Sequence, residues 1–488
     1  MTTMQGVGTR RWPLGVAALA LSLYAMALER ASADAESAAA PPIAPEGSAP
    51  ELPQPPAGHP VQPQAPDAEL TQLLSELDRT ELEASVLSLV SFGTRHTLST
   101  QTDPERGIGA ATDWAYDELS RSAALSGGRM TVELQSFVQA PDTRVPEPTV
   151  LTNIVATLRG TSSPDRVYVV SAHIDSRVTD VLNAEGDQPA ADDDASGVAV
   201  VLDLARVFAL HPPEATLVFT IVPGEEQGLL GSGYQAAAYL AAGADIQAMF
   251  SNDIVGSSTA DNGARDPHTL RLFTEGVPTA ETAAQTTTRQ SIGGENDGES
   301  RQLGRFVQSV ADNAATDMRI WHILRRDRYL RGSDHISYLR QGYPAARFTE
   351  PNENFAHEHQ DVREEAGTQF GDLPEFLDYD FMLRVAKVNA ATLYSLAAAP
   401  GTPKNVRMLT QQLTNTTELA WDRGTEPDLA GYEVVWRAST DLDWTHAIPV
   451  GDVTGASFPN APKDNFEFGV RALDSDGHHS PVAYPIPG

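Results

Sequence analysis

Cysteine is absent from this chain of 488 residues. Disulfides, thiolate nucleophiles and cysteine-ligated zinc are therefore excluded, and any bound metal has to be held by His, Asp or Glu. Basic residues are scarce: 34 Lys and Arg stand against 66 Asp and Glu, a formal net charge of −32. That balance argues against nucleic acid or an anionic membrane as the main partner, although it says little about fold. The longest apolar run, Leu14 to Leu28, is short for a membrane span. It follows Arg10 and Arg11 and precedes the small residues Ala31-Ser32-Ala33. Residues 1–33 are thus expected to be a signal peptide, with an uncleaved anchor as the other reading. Export to the periplasm, the cell surface or the medium follows from the first.

The chain is long enough for a large core and more than one domain. Residues 34–67 are rich in Ala, Pro, Glu and Gln and read as a disordered or partly extended spacer. From residue 68 to 398, strand and helix patterns alternate. Val167 to Ala172 and Ala215 to Val222 are nearly continuous apolar runs, as expected of strands buried on both faces. Asp194 to Leu210 has helical spacing, with Val200, Val201, Leu204, Val207 and Phe208 on one face, and Pro374 to Ala398 reads as a long closing helix. Residues 277–300 are polar and Gly-rich and read as a surface loop. The alternation predicts a three-layer α/β/α sandwich around a mostly parallel mixed sheet. After Ala399-Pro400-Gly401-Thr402-Pro403 the pattern changes to short alternating strands. Residues 401–488 are expected to form an all-β sandwich.

The chemistry-bearing residues cluster where apolar strands give way to loops. His173-Ile174-Asp175 ends one strand; the His could ligate a metal while Asp175 fixes its tautomer, or the pair could simply satisfy each other. Asp192-Asp193-Asp194 precedes a helix that acids would cap. Three adjacent carboxylates nevertheless repel, and a dication would relieve them. Glu225-Glu226 follows the second buried strand across Pro223-Gly224, with one carboxylate available to a metal and its neighbour to move protons. Adjacent glutamates are often only solvated charge. Asp253 ends a further short strand, and could equally be a turn residue. His357-Glu358-His359 lies in a late loop, and Ser333-Asp334-His335 is a candidate for a supporting or substrate-side role. Together they form an oxygen and nitrogen donor set suited to zinc.

Residues 68–398 resemble the co-catalytic di-zinc aminopeptidases of the MH clan of metallopeptidases. The matching pieces are His173-Ile174-Asp175-Ser176, Ala191 to Gly197, Glu225 to Leu229 with Gly231-Ser232, Asn252-Asp253 and Gly342-Tyr343-Pro344-Ala345. The resemblance implies two zinc ions per chain: His173 and Asp253 on one, Glu226 and a late histidine on the other, and Asp193 bridging. It implies Asp175 as support for His173 and Glu225 as general base. It also implies a cis peptide after the bridging acid. The family's late histidine lies four residues before an Asp. That favours His357, four before Asp361, with His359 as the alternative; Tyr329 is a candidate oxyanion donor. The substrates implied are peptides or proteins with a free N-terminus. Glutaminyl cyclases and carboxypeptidases on the same scaffold, and non-catalytic surface proteins, are the alternatives. Residues 401–488 resemble a fibronectin type III module through Trp421, Tyr432 to Arg437, Phe468 to Ala472 and Ser480-Pro481. That likeness implies a contact to a surface or polymer, or structural support.

Overall fold

The computed structural model describes residues 53–488. The expected signal peptide and the first part of the spacer lie outside them. An eight-stranded mixed sheet organises the first domain. Its strands are β1 (Met130–Gln139), β2 (Thr149–Leu158), β3 (Ser163–His173), β4 (Ala215–Val222), β5 (Asp245–Asn252), β6 (Thr269–Thr274), β7 (Arg319–Ile323) and β8 (Ala345–Thr349), in the spatial order β1-β2-β4-β3-β5-β8-β6-β7. The central strands β4, β3, β5 and β8 run parallel, and so do β6 and β7; the β1–β2, β2–β4 and β6–β8 pairs are antiparallel.

Strand parity explains the three layers. Tyr168, Val170 and Ala172 of β3, with Leu217, Phe219 and Ile221 of β4, enter one core together with the helices α1 (Ala68–Ser75), α2 (Arg79–Ser91), α3 (Gly107–Leu125) and α4 (Gly197–Phe208). The intervening Val169 and Val218 face the other way, against α5 (Leu230–Ala242). Three helices follow in sequence: α6 (Ala283–Ile292), α7 (Glu299–Ala311) and α8 (His335–Arg340). Leu339 of α8 joins the second core, and α9 (Tyr379–Ala398) returns to the first through Phe381, Val385 and Val388. All eight residues of β4 are buried. Truncating a centre such as Phe219 to Ala would cost about 3–5 kcal/mol.

Local chemistry moved several expected boundaries. Residues 277–300 are not simply a loop: Thr282 and Gln285 form a reciprocal capping box that starts α6, and Gly293 at φ 71° ends it. No residue of α6 is buried, so the helix rests on its caps and has no apolar stripe to reveal it. The expected helix from Asp194 begins later, at Gly197, after an irregular turn over Ala191–Ser196. The closing helix begins at Tyr379, where Asp378 accepts from the Phe381 N–H.

Beyond residue 400 the chain forms two small sheets. One contains Leu429–Ala438, His446–Gly451 and Phe466–Asp474; the other contains Arg407–Met408, Thr417–Ala420, Gly455–Phe458 and Ile486–Pro487. Leu419, Trp421, Tyr432, Val434, Phe468 and Val470 fill the space between them. The end of the expected spacer is not free chain. His59–Pro60 pairs antiparallel with His446–Ala447, and the indole N–H of Trp436 donates to the Pro56 carbonyl at 3.0 Å. The Pro-rich composition fits this edge position, because Pro at a sheet margin forfeits no needed donor.

Candidate metal centre

Parallel β3, β4 and β5 end at the same edge of the sheet, where open α/β sheets leave a crevice. His173 is the last residue of β3, Glu225 and Glu226 follow β4, and Asp253 follows β5. Gly224, at φ 75°, makes the turn that carries the two glutamates over the edge. Asp175 organises this turn. It is fully buried and accepts from the backbone N–H groups of Glu225 and Glu226 at 3.2 and 3.1 Å, and from the Thr97 hydroxyl at 2.9 Å. Its carbonyl lies 3.1 Å from Nδ1 of His173, which leaves Nε2 facing the crevice.

The three consecutive aspartates separate into distinct tasks. Asp192 accepts from the Gly256 N–H at 2.7 Å. Asp194 accepts from the N–H groups of His173 at 3.1 Å and Gly197 at 3.0 Å, so it caps α4 and clips it to β3. Asp193, between them, is turned into the crevice, and the Asp193–Asp194 peptide bond is cis. One Asp193 oxygen lies 3.0 Å from Nε2 of His173, and the other 2.8 Å from Nε2 of His359. His359 Nε2 is also 2.8 Å from a Glu226 oxygen. One atom each from His173, Asp193 and Asp253 falls within 4.8 Å of the others, and Asp193, Glu358 and His359 make a second such group.

His357 does not join this set. Its ring stacks on Phe376, centroids 3.5 Å apart and planes 5° from parallel, and burial lowers its pKa. The expectation from spacing therefore fails, and the alternative, His359, is the residue that reaches Asp193 and Glu226. The backbone explains it: His359 sits at φ 54°, a left-handed turn that swings its side chain inward while Phe376 captures His357. Tyr329 lines the crevice mouth, 76 % exposed, with Arg325 stacked 5.5 Å from its ring.

Several contributors carry no local sequence signal. Arg95, fully buried, donates to the carbonyls of Ile174, Pro189 and Ala190, tying the His173 loop to the aspartate loop; burial first, offset by nearby acids, brings its pKa down to about 10. Asp372 accepts from the Asp192 and Asp193 N–H groups at 2.8 and 2.7 Å. Arg347 holds Asp253 at 2.7 Å. Each lies far along the chain from its partner, and only the fold brings them together.

The donor set fits a zinc-type cation. Nε2 of His173, Nε2 of His359 and Oε1 of Glu226 are buried without hydrogen-bond partners, although carboxylate oxygens stand within 3.0 Å of both rings. The distances are short while hydrogen-bond geometry is not met, as expected when lone pairs converge on a common point. Buried polar atoms are rarely left this way without a guest. Burial opposes protonation of His173 and His359, yet the surrounding acids raise both pKa values well above normal. A proton on each ring offsets the same negative charge that a dication would. Glu225 is raised well above the usual carboxylate range, first by burial and then by Asp253, Glu226 and Asp334, against the pull of His173. Asp334 is itself fully buried, with both carboxylate oxygens unpartnered and its pKa pushed up to about 7, chiefly by burial.

An α/β/α sandwich with imidazoles and carboxylates converging at its strand ends defines a metal-dependent hydrolase site. Residues 153–370 match the family described as Peptidase family M28. A protein of Pyricularia oryzae named "Probable zinc metalloprotease" is 52% identical over 442 residues, covering 89% of this chain and 88% of that protein. Another of the same name from Pyrenophora tritici-repentis is 50% identical over 428 residues, 87% of this chain and 88% of its own. Among solved structures, the LapA aminopeptidase of Legionella pneumophila aligns with a TM-score of 0.47 at 17% identity, covering 68% of this chain and 75% of that one. The chain belongs to peptidase family M28 and is a zinc metallopeptidase.

Proposed function

We propose that this chain is an exported exopeptidase that removes residues from the N-terminus of peptides, using two zinc ions. The observation that carries the reading is Asp193, whose two oxygens each approach a different imidazole, at 3.0 and 2.8 Å. His173 and Asp253 would hold one ion, Glu226 and His359 the other, and Asp193 both. Zinc bound there would polarise the scissile carbonyl and lower the pKa of a water toward neutrality. Glu225 does the proton work. It lines the cleft beside Glu226, and as a carboxylate it would take a proton from water and pass it to the departing amine. Asp175 holds the Glu225 backbone and so positions this base. A substrate's free α-amine would bind near this acidic cluster, which favours trimming from the N-terminus over internal cleavage. The all-β unit at residues 401–488 is taken as a non-catalytic support or a contact to a surface or polymer.

The test is a panel of peptides with free or blocked N-termini, incubated with wild type and Glu225→Gln, alongside metal analysis. The expected result is trimming of free N-termini only. Two zinc ions per chain should be retained in the variant while turnover falls about 10²–10⁴-fold. Cleavage of blocked peptides from their C-termini, cyclisation of N-terminal Gln, or normal turnover by Glu225→Gln would each reject it. Export is tested by locating the protein in fractionated source cells; retention in the cytosol rejects that part.

A further inference from the structure

The crevice opens into a cleft of about 870 Å³ whose outer wall is arginine-rich, although the chain as a whole carries a net charge of −32. The arginines divide into two groups. Arg177, Arg328 and Arg331 are engaged within the chain: Arg177 stands 3.6 Å from Glu226, Arg331 meets Glu353 at 2.7 Å and also contacts Glu358, and Arg328 meets Glu353 at 3.3 Å. Arg144, Arg325, Arg326 and Arg340 also line the cleft, yet among the described residues none has a carboxylate within 4.0 Å. Arg144 is tethered beside the metal centre by a 2.6 Å bond to the Glu226 carbonyl. Arg325 and Arg326 project from the loop after β7, and Arg340 ends α8.

The acids of the cleft do not balance these four. Asp193, Glu225, Glu226 and Asp253 belong to the metal centre, where cations would offset them, and Asp327 is occupied by Arg347 at 3.3 Å. The outer wall therefore offers guanidinium groups with no carboxylate of the described chain paired to them, facing the space a peptide must cross. Guanidinium groups match carboxylates in two-point geometry, and a cleft walled by one sign of charge concentrates ligands of the other. It also disfavours a second ammonium group.

Resting on the peptidase reading above, we propose that the cleft selects peptides bearing a carboxylate close to the scissile bond, bound by Arg144, Arg325, Arg326 and Arg340. The carboxylate can come from an acidic side chain or from the C-terminus of a short peptide; the chemistry is the same.

The experiment uses the zinc-loaded full chain carrying Glu225→Gln, titrated calorimetrically with tripeptides that contain Glu or its isostere Gln, each with a free or amidated C-terminus. Carboxylate-bearing peptides should bind at least about tenfold more tightly than the amidated Gln peptide, with the advantage shrinking between about 0.05 and 0.5 M salt. A preference that follows the Glu/Gln exchange assigns the side chain, and one that follows amidation assigns the C-terminus; both support the proposal. Adding Arg325→Ala and Arg340→Ala should reduce the preference at least about fivefold with zinc content and melting temperature kept, and Arg340→Glu should improve binding of Lys-containing peptides. Preference below about twofold, independent of salt and of these arginines, overturns the inference. The two readings fail separately. Neutral peptides trimmed without acidic preference would sink this one alone. Acidic peptides bound tightly but never cleaved by wild type would sink the exopeptidase assignment and leave this one standing.

Discussion

Two regions of the molecule bury charge, and they treat it in opposite ways. At the seam between the peptidase domain and the C-terminal sheets, Asp297 receives Arg305 at 2.8 Å and Arg437 at 2.7 Å, one arginine from each side. Gln302 bonds Asp297 and accepts from the Trp444 indole at 2.9 Å, and both guanidiniums lie near the Trp444 ring. Arg166 meets Glu426 at 3.1 Å a little further along. Every buried charge there finds its opposite within the chain. At the strand ends the charges are equally enclosed, yet among the described residues neither Glu225 nor Asp334 has a basic partner within 4.0 Å, and both oxygens of Asp334 go unbonded. The joint sets acids against arginines, whereas the strand ends gather acids beside one another, as a site for a cation would. Since breaking either arrangement is costly, substitution separates them by what is lost.

The largest effect is expected from Asp193→Ala, which removes the shared carboxylate. Zinc content by elemental analysis should fall toward zero and activity at least about 100-fold, with circular dichroism unchanged. His359→Ala should behave similarly, whereas His357→Ala should keep its metal and lose only the packing on Phe376; equal zinc loss in both would contradict the geometry. Asp297→Ala addresses the other region. With Arg305 and Arg437 left unpaired, stability should drop by about 3–5 kcal/mol in denaturant titration while zinc binding is untouched. Acidification addresses the metal centre. Protons compete for His173 and His359, so zinc affinity measured by competition with a chromophoric chelator should weaken from about pH 7.5 to about 5.5. The smallest effect concerns His478, which bridges Asp474 at 2.8 Å and Asp67 at 3.2 Å. Chiefly through the Asp474 bond, its pKa is raised from 6.5 to about 9. Its stabilisation is thus complete below pH 6.5 and lost as pH rises through about 9. After allowance for solvent screening this amounts to about 1–2 kcal/mol. His478→Gln should abolish that slope in thermal melts.

Much of this was legible in the sequence where one short segment carries its own explanation. The apolar runs of β3 and β4 declared buried strands, and the residues just beyond them, His173, Asp175, Glu225 and Glu226, declared the edge that matters. Asp193 stood out because three neighbouring acids need a reason to coexist. What stayed hidden depends on partners far away in the chain. Arg95, Arg347 and Asp372 look ordinary until folding places them behind His173, Asp193 and Asp253. The choice between His357 and His359 was decided by a single left-handed residue and by Phe376, neither of which residue spacing reports. Helix α6 escaped notice because its caps, and no apolar stripe, support it. The Pro-rich stretch before residue 67 reads as loose chain until the margin of a distant sheet is there to receive it.

That stretch has a consequence for biosynthesis. His59 pairs with Ala447, and the Gln64 N–H reaches the Ser309 carbonyl of α7, so the start of the described chain is clasped between two parts made much later. Contacts so distant in sequence form late, because a long loop has to close first. Until residues around 447 have emerged from the ribosome the clasp lacks its sheet margin, and a nascent chain interrupted before that point would present the segment around His59 uncovered, open to proteolytic trimming that the finished protein resists.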